Sequence, residues 1–266
     1  MNFNPNELKA KYNPAGSVLW QMQERMLDIL GEIDKICERH NIPYWLSGGS
    51  MLGAIRHQGF IPWDDDLDIE MFRPDFERLM KILPNELPST MVLQWHTTDE
   101  NYFFQFAKVR DRNSELFERN GYDKVLKEHG IWVDIFPLEA TPLWIHKLSN
   151  KTFGHTYKMM RQANKTEDVM WKVRTLASLN RNCIFPVLRL ISKIFRTQYY
   201  DFGLGIPYFQ KSLKEDFLPV RHVKYEHTTV PVMREAEKCL EYRYGDYMKL
   251  PENPGSEYHS EDIRIW

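Results

Sequence analysis

Acidic side chains are concentrated at residues 64–70 of this 266-residue chain, in the order Asp-Asp-Asp-Leu-Asp-Ile-Glu. Because alternate residues of a β-strand point to the same face, we expect these acids to share one face and the apolar residues between them to enter the core. The acids of that face are Asp64, Asp66, Asp68 and Glu70, and the core residues are Leu67, Ile69 and Met71. Neighbouring carboxylates repel one another unless a cation neutralises them, and carboxylate oxygens suit Mg²⁺ or Mn²⁺. The pattern therefore predicts a divalent-metal site, with a solvated acidic turn as the alternative.

A Gly-Gly-Ser turn at residues 48–50 precedes the acids and follows the short apolar segment 44–46. We expect segment 44–46 to form a buried strand and a helix to begin near Met51. Backbone N–H groups exposed at such a turn bind phosphate, and the positive end of the following helix strengthens that binding. A phosphate site at Gly49 and Ser50 beside metal-binding carboxylates favours phosphoryl or nucleotidyl transfer.

Two short motifs here, Gly49-Ser50 and Asp66-Leu67-Asp68, match the hG[GS] and D-h-D elements of the nucleotidyltransferase superfamily. Residues 50–68 also resemble the extended pattern of one branch, the LicD family: G-x-L-L-G-A-x-R-H-x-G-F-I-P-W-D-D-D-x-D. Further similarity at residues 106–111, 130–138 and 244–251 extends the resemblance over about residues 30–250. One departure is Glu139, where the family has Asp.

The resemblance implies transfer of a phospho-alcohol from a CDP-activated donor to a hydroxyl of a cell-surface glycan precursor, with release of CMP. Phosphocholine from CDP-choline is the leading candidate, the acceptor is expected to be lipid-linked, and related members use CDP-ribitol. Three carboxylates hold two metal ions in this superfamily, and by position they are Asp66, Asp68 and Asp134, which are also the catalytic candidates. Asp134 lies among apolar neighbours, where an acid needs a metal, a proton to transfer or an ionic partner.

Cationic side chains are needed beside the phosphates of such a donor. Lys108 and Arg110 alternate on one predicted strand and are candidates for phosphate contacts, with a solvated strand face as the alternative. Arg56 is a third candidate, and structural support of the acidic loop is its alternative. With Gly49 and Ser50 these residues make up the predicted donor-binding set.

Two other functions remain open at this point. One is a nucleotidyltransferase that attacks the α-phosphate of an NTP and releases pyrophosphate instead of CMP. The other is a catalytically inactive member that serves as a binding module. The presence of all three carboxylates argues against the second alternative, because an inactive site does not need three converging acids.

The overall composition excludes several other classes. Lys and Arg total 35 against 37 Asp and Glu, so the formal charge of −2 predicts no nucleic-acid partner. The three cysteines lie far apart, which argues against a disulfide framework or a zinc cluster. The first residues do not resemble a signal peptide and no apolar run is long enough to span a bilayer, so we expect a cytoplasmic protein.

Residues 151–200 contain ten Lys or Arg and two acids, a net charge of +8. Within them, the apolar segment 183–196 is too short to cross a membrane. The favoured interpretation is a basic-faced helix packed on the core. The alternative is peripheral contact with the inner face of the cell membrane, through Ile184, Phe185, Leu188 and Ile191.

Helical and strand patterns alternate up to about residue 140, and helical patterns follow. A helix capped by Ser17 is predicted over 17–39, and another is predicted from Arg73 to Leu83, before Pro84. The fold class is therefore α+β, and the resemblance implies a small nucleotidyltransferase-like mixed β-sheet with flanking helices and a helical C-terminal lobe. We expect the catalytic core at 1–145 and a mainly helical lobe at 146–266 that completes the same compact unit.

Overall fold

The computed structural model describes residues 4–118, 121–162, 167–252 and 260–266. Its α-helices are α1 (Pro5–Tyr12), α2 (Val18–Arg39), α3 (Gly48–His57), α4 (Arg73–Glu86), α5 (Leu143–Gln162), α6 (Glu167–Leu179), α7 (Phe185–Phe195), α8 (Lys214–Phe217) and α9 (Ala236–Tyr244). Its strands are β1 (Trp45–Leu46), β2 (Asp68–Phe72), β3 (Met91–Gln94), β4 (Ala107–Asp111), β5 (Ser114–Glu118), β6 (Trp132–Ala140), β7 (Tyr199–Phe202), β8 (Ser212–Leu213), β9 (Arg221–Tyr225), β10 (Thr228–Val232) and β11 (Ser260–Ile265).

The main sheet is mixed and is organised around the long strand β6. Its strand order is β1-β2-β6-β4-β3, with β2 parallel to β6 and the other pairs antiparallel. The first half of β6 pairs with β4 and its second half with β7, which in turn pairs with β8. The predicted α+β class, a small mixed sheet with flanking helices, is confirmed.

Helices α2 and α4 pack against this sheet as their apolar spacing predicts. The Ser17 hydroxyl accepts a hydrogen bond from the Trp20 N–H at 3.1 Å, which caps α2 as expected. The buried stripe of α2 includes Met22, Met26, Ile29, Ile33 and Ile36. Helix α4 continues to Glu86, so the predicted end before Pro84 is wrong. Near the end of a helix, proline removes a single hydrogen bond and leaves the preceding turns intact.

Residues after the proposed boundary at 145 contribute to the same sheet. Strands β7 and β8 extend the sheet from β6, β9 and β10 form a hairpin, and β11 pairs with β5. Helices α5 to α7 precede them, with a π-helical turn at Asn180–Ile184 between α6 and α7. The boundary itself stays a prediction, but the two parts share one sheet and one hydrophobic core.

The apolar segment 183–196 contains all of α7 and the last two residues of the π-helical turn before it. Phe185 and Leu188 are buried, and Ile184 and Ile191 are half-buried against the core. The favoured interpretation, a helix packed on the core, agrees with this burial. The alternative, in which these four side chains contact lipid, is wrong because they fill the space between α7 and the core. Among the described residues, no helix has both the length and the apolar character needed to cross a membrane.

Candidate active site

Three charged residues form a row across the centre of the main sheet. Asp68 of β2 pairs with Asp134 of β6, and Asp134 pairs with Lys108 of β4. Paired residues of neighbouring strands lie on the same face, so the row is about 10 Å long. All three residues line a cavity of about 440 Å³, together with Asp66. The sheet register thus brings Asp68 and Asp134 together, and Asp66, which precedes β2, lines the same cavity.

The carboxylates lie close enough to affect one another's ionisation. Burial raises the pKa of Asp68 well above its usual range, and the charges of Asp66 and Asp134 add to this shift. Lys108 opposes the shift in the pKa of Asp68. The cluster therefore favours any cation that neutralises it.

The other two acids of the predicted face, Asp64 and Glu70, do not line this cavity. Strand β2 begins only at Asp68, so Asp64 precedes the strand. Glu70 is buried and accepts hydrogen bonds from Trp45 Nε1 and Gln210 Nε2, both at 3.1 Å, and from the Ser47 hydroxyl. The predicted common face of four acids therefore holds only in part, because β1 and the segment containing Gln210 supply hydrogen-bond donors to Glu70.

The N-terminus of α3 forms one end of the cavity. Ser47, Gly48 and Gly49 line it, and α3 begins at Gly48, three residues before the expected start. Gly48 has φ +47°, a left-handed conformation that favours glycine. The first N–H groups of a helix have no acceptor within the helix, so this end can bind an anion. The Ser50 hydroxyl accepts a hydrogen bond from the Asp68 N–H at 2.9 Å, which ties α3 to the acidic strand.

Asp134 has an ionic partner inside the protein. Lys108 Nζ lies 2.9 Å from Asp134 Oδ1 and donates to Oδ2 at 3.1 Å. Trp132 Nε1 also donates to Oδ2 at 3.1 Å, and Lys108 Nζ lies 3.9 Å from the centre of the Trp132 ring. The apolar neighbours of Asp134 in the sequence imply that it needs a metal, a proton to transfer or an ionic partner. The structure provides an ionic partner, the buried Lys108, and adds a hydrogen bond from the Trp132 indole.

This arrangement leads to a prediction for Asp134→Ala. We expect a loss of about 3 kcal/mol in the free energy of unfolding, because the variant leaves the Lys108 ammonium buried without its carboxylate. The double variant Lys108→Met/Asp134→Ala should regain most of the loss, since both charges are gone. Urea unfolding of the two proteins measures the effect. Wild-type stability of Asp134→Ala would show that the pair is energetically neutral.

Three of the five residues predicted to bind the donor, Ser50, Arg56 and Arg110, lie outside the lining of the cavity. Arg56 Nη1 donates to the Tyr247 carbonyl at 2.8 Å and connects α3 to the segment after α9. Arg110 is fully buried, and its Nη1 donates to the Gly130 carbonyl at 2.7 Å. Both guanidinium groups are committed to backbone carbonyls, so we assign them a supporting role. Lys108 alone of the three predicted cations lines the cavity.

Arg243 and Tyr244, at the C-terminal end of α9, line the cavity beside the start of α3 and were not identified from the sequence. A Cβ atom added at Gly48 would lie 3.4 Å from Arg243 Nη1, so the guanidinium reaches the anion-binding end of α3. Burial lowers the pKa of Arg243, but Glu70, Tyr244 and Cys239 together outweigh burial and raise it. The sequence did contain a signal for these two residues: the family similarity at residues 244–251 begins at Tyr244, directly after Arg243.

Aromatic side chains form most of the remaining wall: Phe104, Phe106, Tyr122, Trp132, Phe136, Phe202, Tyr208, Phe209 and Tyr244. Phe104 lies 5.1 Å from Phe106 and 5.7 Å from Tyr122 between ring centres. Burial and the charges of Asp68, Asp134 and Asp66 raise the pKa of Tyr208, so its hydroxyl stays protonated. These residues come from strands, loops and α9 in distant parts of the chain, and only the tertiary structure brings them together.

The buried side chain of His146 holds the segment that carries Tyr208 and Phe209. His146 Nδ1 lies 2.9 Å from Asp201 Oδ2, and Nε2 lies 2.9 Å from the Ile206 carbonyl oxygen. Burial lowers the pKa of His146, but the hydrogen bond and charge of Asp201 outweigh burial and raise it. A protonated ring donates to both acceptors and fixes this segment against α5.

The donor set of the acidic cluster fits a hard divalent cation. Asp66, Asp68 and Asp134 offer carboxylate oxygens alone, and the charges of Asp66 and Asp134 add to the burial that raises the pKa of Asp68. Within the described residues, no group of three or more His, Cys, Asp or Glu side chains is already arranged at metal-binding distances. The Lys108 ammonium already contacts the Asp134 carboxylate, so a metal ion would compete with it for this ligand.

A small mixed sheet with carboxylates in register, beside a glycine-rich helix start, defines a nucleotidyltransferase-like site. The family described as LicD/FKTN/FKRP, nucleotidyltransferase domain, matches residues 41–187, and the chain belongs to this family. The resemblance found in the sequence is thereby confirmed.

Two relatives illustrate the range of the family. The chain is 30% identical over 261 residues to the lipopolysaccharide cholinephosphotransferase LicD of Haemophilus influenzae, which covers 91% of this chain and 95% of that protein. It is 32% identical over 94 residues to the ribitol 5-phosphate transferase FKRP of Homo sapiens, which covers 32% of this chain and 19% of that protein. The first similarity extends over nearly all of both proteins.

Proposed function

We propose that this protein transfers a phospho-alcohol, phosphocholine from CDP-choline in the first instance, to a hydroxyl of a glycan. The observation that carries the proposal is the single cavity in which Asp66, Asp68, Asp134 and Lys108 face the start of α3. Similarity to a lipopolysaccharide cholinephosphotransferase over nearly the whole chain supports the substrate class.

In this proposal the diphosphate of the donor lies between the start of α3 and the acidic row. The N–H groups of Gly48 and Gly49 bind its oxygens, and Arg243 beside them neutralises their charge. Asp66, Asp68 and Asp134 would hold Mg²⁺ or Mn²⁺, which stabilises negative charge on the phosphoryl oxygens when bound.

The transfer itself is a substitution at the phosphorus that carries the alcohol. The acceptor oxygen forms a bond to this phosphorus as the bond to the CMP oxygen breaks, and CMP leaves with that electron pair. Asp134 accepts the proton of the acceptor hydroxyl, while Lys108 at 2.9 Å keeps the carboxylate in place. The aromatic wall restricts the access of water to the reacting groups.

The aromatic wall also supports choline over ribitol as the transferred alcohol. A trimethylammonium group is attracted to the faces of aromatic rings and cannot donate hydrogen bonds. Phe104 is half-buried at the wall, with Phe106 and Tyr122 on either side. A polyol would instead leave its hydroxyl groups against apolar ring faces, where they lack partners.

We expect Phe104→Ala to raise KM for CDP-choline about tenfold, because a desolvated cation–π contact contributes about 1–2 kcal/mol. The KM for CDP-ribitol, if that donor is used at all, should change far less. Phe104→Tyr keeps the ring and is the matched control. Steady-state CMP release measures the change in KM for each donor. Equal changes for CDP-choline and CDP-ribitol would contradict a choline-binding role for Phe104.

Product identity tests the proposed function against its alternatives. The purified protein should release CMP from one member of a panel of CDP-alcohols in the presence of Mn²⁺ or Mg²⁺ and a glycan acceptor. Pyrophosphate release from an NTP would instead support the nucleotidyltransferase alternative. Donor binding by calorimetry without release of either product would support the inactive binding module.

A further inference from the structure

We infer that an exposed apolar face formed by α5 and α7 binds the surface of an anionic membrane. We call it the α5–α7 face and define it by six side chains: Trp144, Leu148, Val187, Leu190, Ile194 and Phe195. The inference rests on this surface and its charge, and it does not require the proposed transfer activity.

The exposure of these side chains is unusual for apolar residues on one helix. Val187 is 56% exposed, Leu190 64% and Ile194 71%. Their spacing of three and four residues places them on one face of α7, opposite the buried Phe185 and Leu188. Contiguous exposed apolar surface of this kind marks an interaction site.

Helix α5 extends the apolar face. The rings of Trp144 and Phe195 meet edge to face, with centres 5.3 Å apart, although Trp144 remains 51% exposed and Phe195 58%. Leu148, one turn further along α5, is 40% exposed. The two helices therefore present a common apolar surface that a bilayer interface would cover.

Charge identifies the partner. Helices α5 and α7 together carry six Lys or Arg and no Asp or Glu. Lys151 and Lys193 are exposed, whereas Arg189 is turned toward the core and bonded to Glu139 at 2.6 Å. An anionic lipid surface complements this charge, and each nearby Lys adds to the attraction. A second copy of the same face would bring positive charge against positive charge.

The α5–α7 face lies next to a second cavity that shares one wall residue with the active-site cavity. This second cavity, of about 490 Å³, is lined by Leu143 and Lys147 of α5 and by Phe209. Phe209 also lines the cavity that contains the acidic row. Membrane binding would thus place lipid head groups near a cavity that adjoins the active site at Phe209.

Sedimentation with vesicles tests the inference. We expect the wild-type protein to bind vesicles of equal parts phosphatidylglycerol and phosphatidylcholine at low salt, and to bind pure phosphatidylcholine vesicles weakly. The double variant Lys151→Gln/Lys193→Gln should lower the partition coefficient about fivefold for each lysine. Leu190→Ser/Ile194→Ser should lower it about tenfold for each residue.

Matched controls lie elsewhere on the surface. Lys81→Gln/Lys224→Gln removes two exposed charges on α4 and β9, and Val18→Ser removes an apolar side chain that is 53% exposed. These controls should bind vesicles as the wild type does. Circular dichroism and CMP release without vesicles should match the wild type for Leu190→Ser/Ile194→Ser, which separates membrane binding from the proposed activity.

Three outcomes would overturn the inference. The wild type does not sediment with anionic vesicles at low salt, or the variants of the α5–α7 face bind as well as the controls. In the third outcome, the wild type does not bind vesicles, and sedimentation velocity shows a dimer that the Leu190→Ser/Ile194→Ser variant does not form. The α5–α7 face would then be an interface between two copies of the chain.

Discussion

Asp68→Asn is expected to lower CMP release at least a thousandfold while the protein stays folded. The variant keeps the size of the side chain and removes one of the three negative charges of the cavity. Charge stabilisation at such a site supplies several kcal/mol, and about 4 kcal/mol corresponds to a thousandfold in rate. Asp66→Asn should behave in the same way, because Asp66 lines the same cavity.

The stability of Asp68→Asn should stay the same or increase, although its activity falls. The pKa of Asp68 is raised by burial and by its acidic neighbours, so ionised Asp68 destabilises the folded protein at neutral pH. Asp68→Asn removes this unfavourable charge and should unfold at the same or a higher temperature in buffer that contains a chelator. Added Mn²⁺ should raise the melting temperature of the wild type and have a smaller effect on the variant.

Asp75→Asn, in the first turn of α4 and outside the cavity, is the control for the loss of an acidic side chain. It should keep full activity and show the same response to Mn²⁺ as the wild type. Turnover close to that of the wild type in folded Asp68→Asn would reject the assignment of the acidic row as the catalytic centre.

Glu139→Ala is expected to cost about 3–5 kcal/mol of unfolding free energy, because it leaves two guanidinium groups without their buried carboxylate. Glu139 lies at the end of β6, where Arg73 Nε of α4 is 3.1 Å away and Arg189 Nε of α7 donates at 2.6 Å. It also accepts a hydrogen bond from the Leu204 N–H at 2.8 Å. This one side chain connects the sheet, two helices and the loop after β7.

The same contacts predict a dependence on pH. Burial raises the pKa of Glu139, but Arg73 and Arg189 outweigh burial and lower it to about 2 from an ordinary value of 4.5. The stabilisation is therefore complete above pH 4.5 and is lost as the pH falls toward 2, which corresponds to about 3 kcal/mol. Urea unfolding of wild type and Glu139→Gln should show a stability difference at pH 6 that shrinks below pH 4.

Glu139→Asp tests whether charge or length matters here, since it keeps the carboxylate and shortens the side chain by one methylene group. We expect it to retain the acid-dependent part of the stability and to lose part of the contact with Arg189. Equal stability of Glu139→Ala and the wild type at neutral pH would mean that the ion-pair cluster adds nothing to the fold.

The sequence alone was sufficient for the local features and for the chemical type of the site. Ser17 caps α2, and the alternation of acids with Leu67, Ile69 and Met71 buries the apolar residues of β2. These features depend on neighbours along the chain, through helical spacing, strand alternation and turn chemistry. The motif between residues 49 and 68 is likewise contiguous, which is why it identified the LicD family without any knowledge of the fold.

Tertiary structure decided which side chains the site contains. Lys108 and Arg110 are equivalent in the sequence, but the register with Asp134 brings Lys108 to the carboxylate, whereas Arg110 is bonded to a carbonyl in the core. Arg243 reaches the start of α3 from a helix nearly two hundred residues away, and the exposed side of α7 is the one that the core leaves uncovered. These outcomes depend on contacts between distant segments, which a local pattern does not contain, because only packing determines which of several suitable faces is buried.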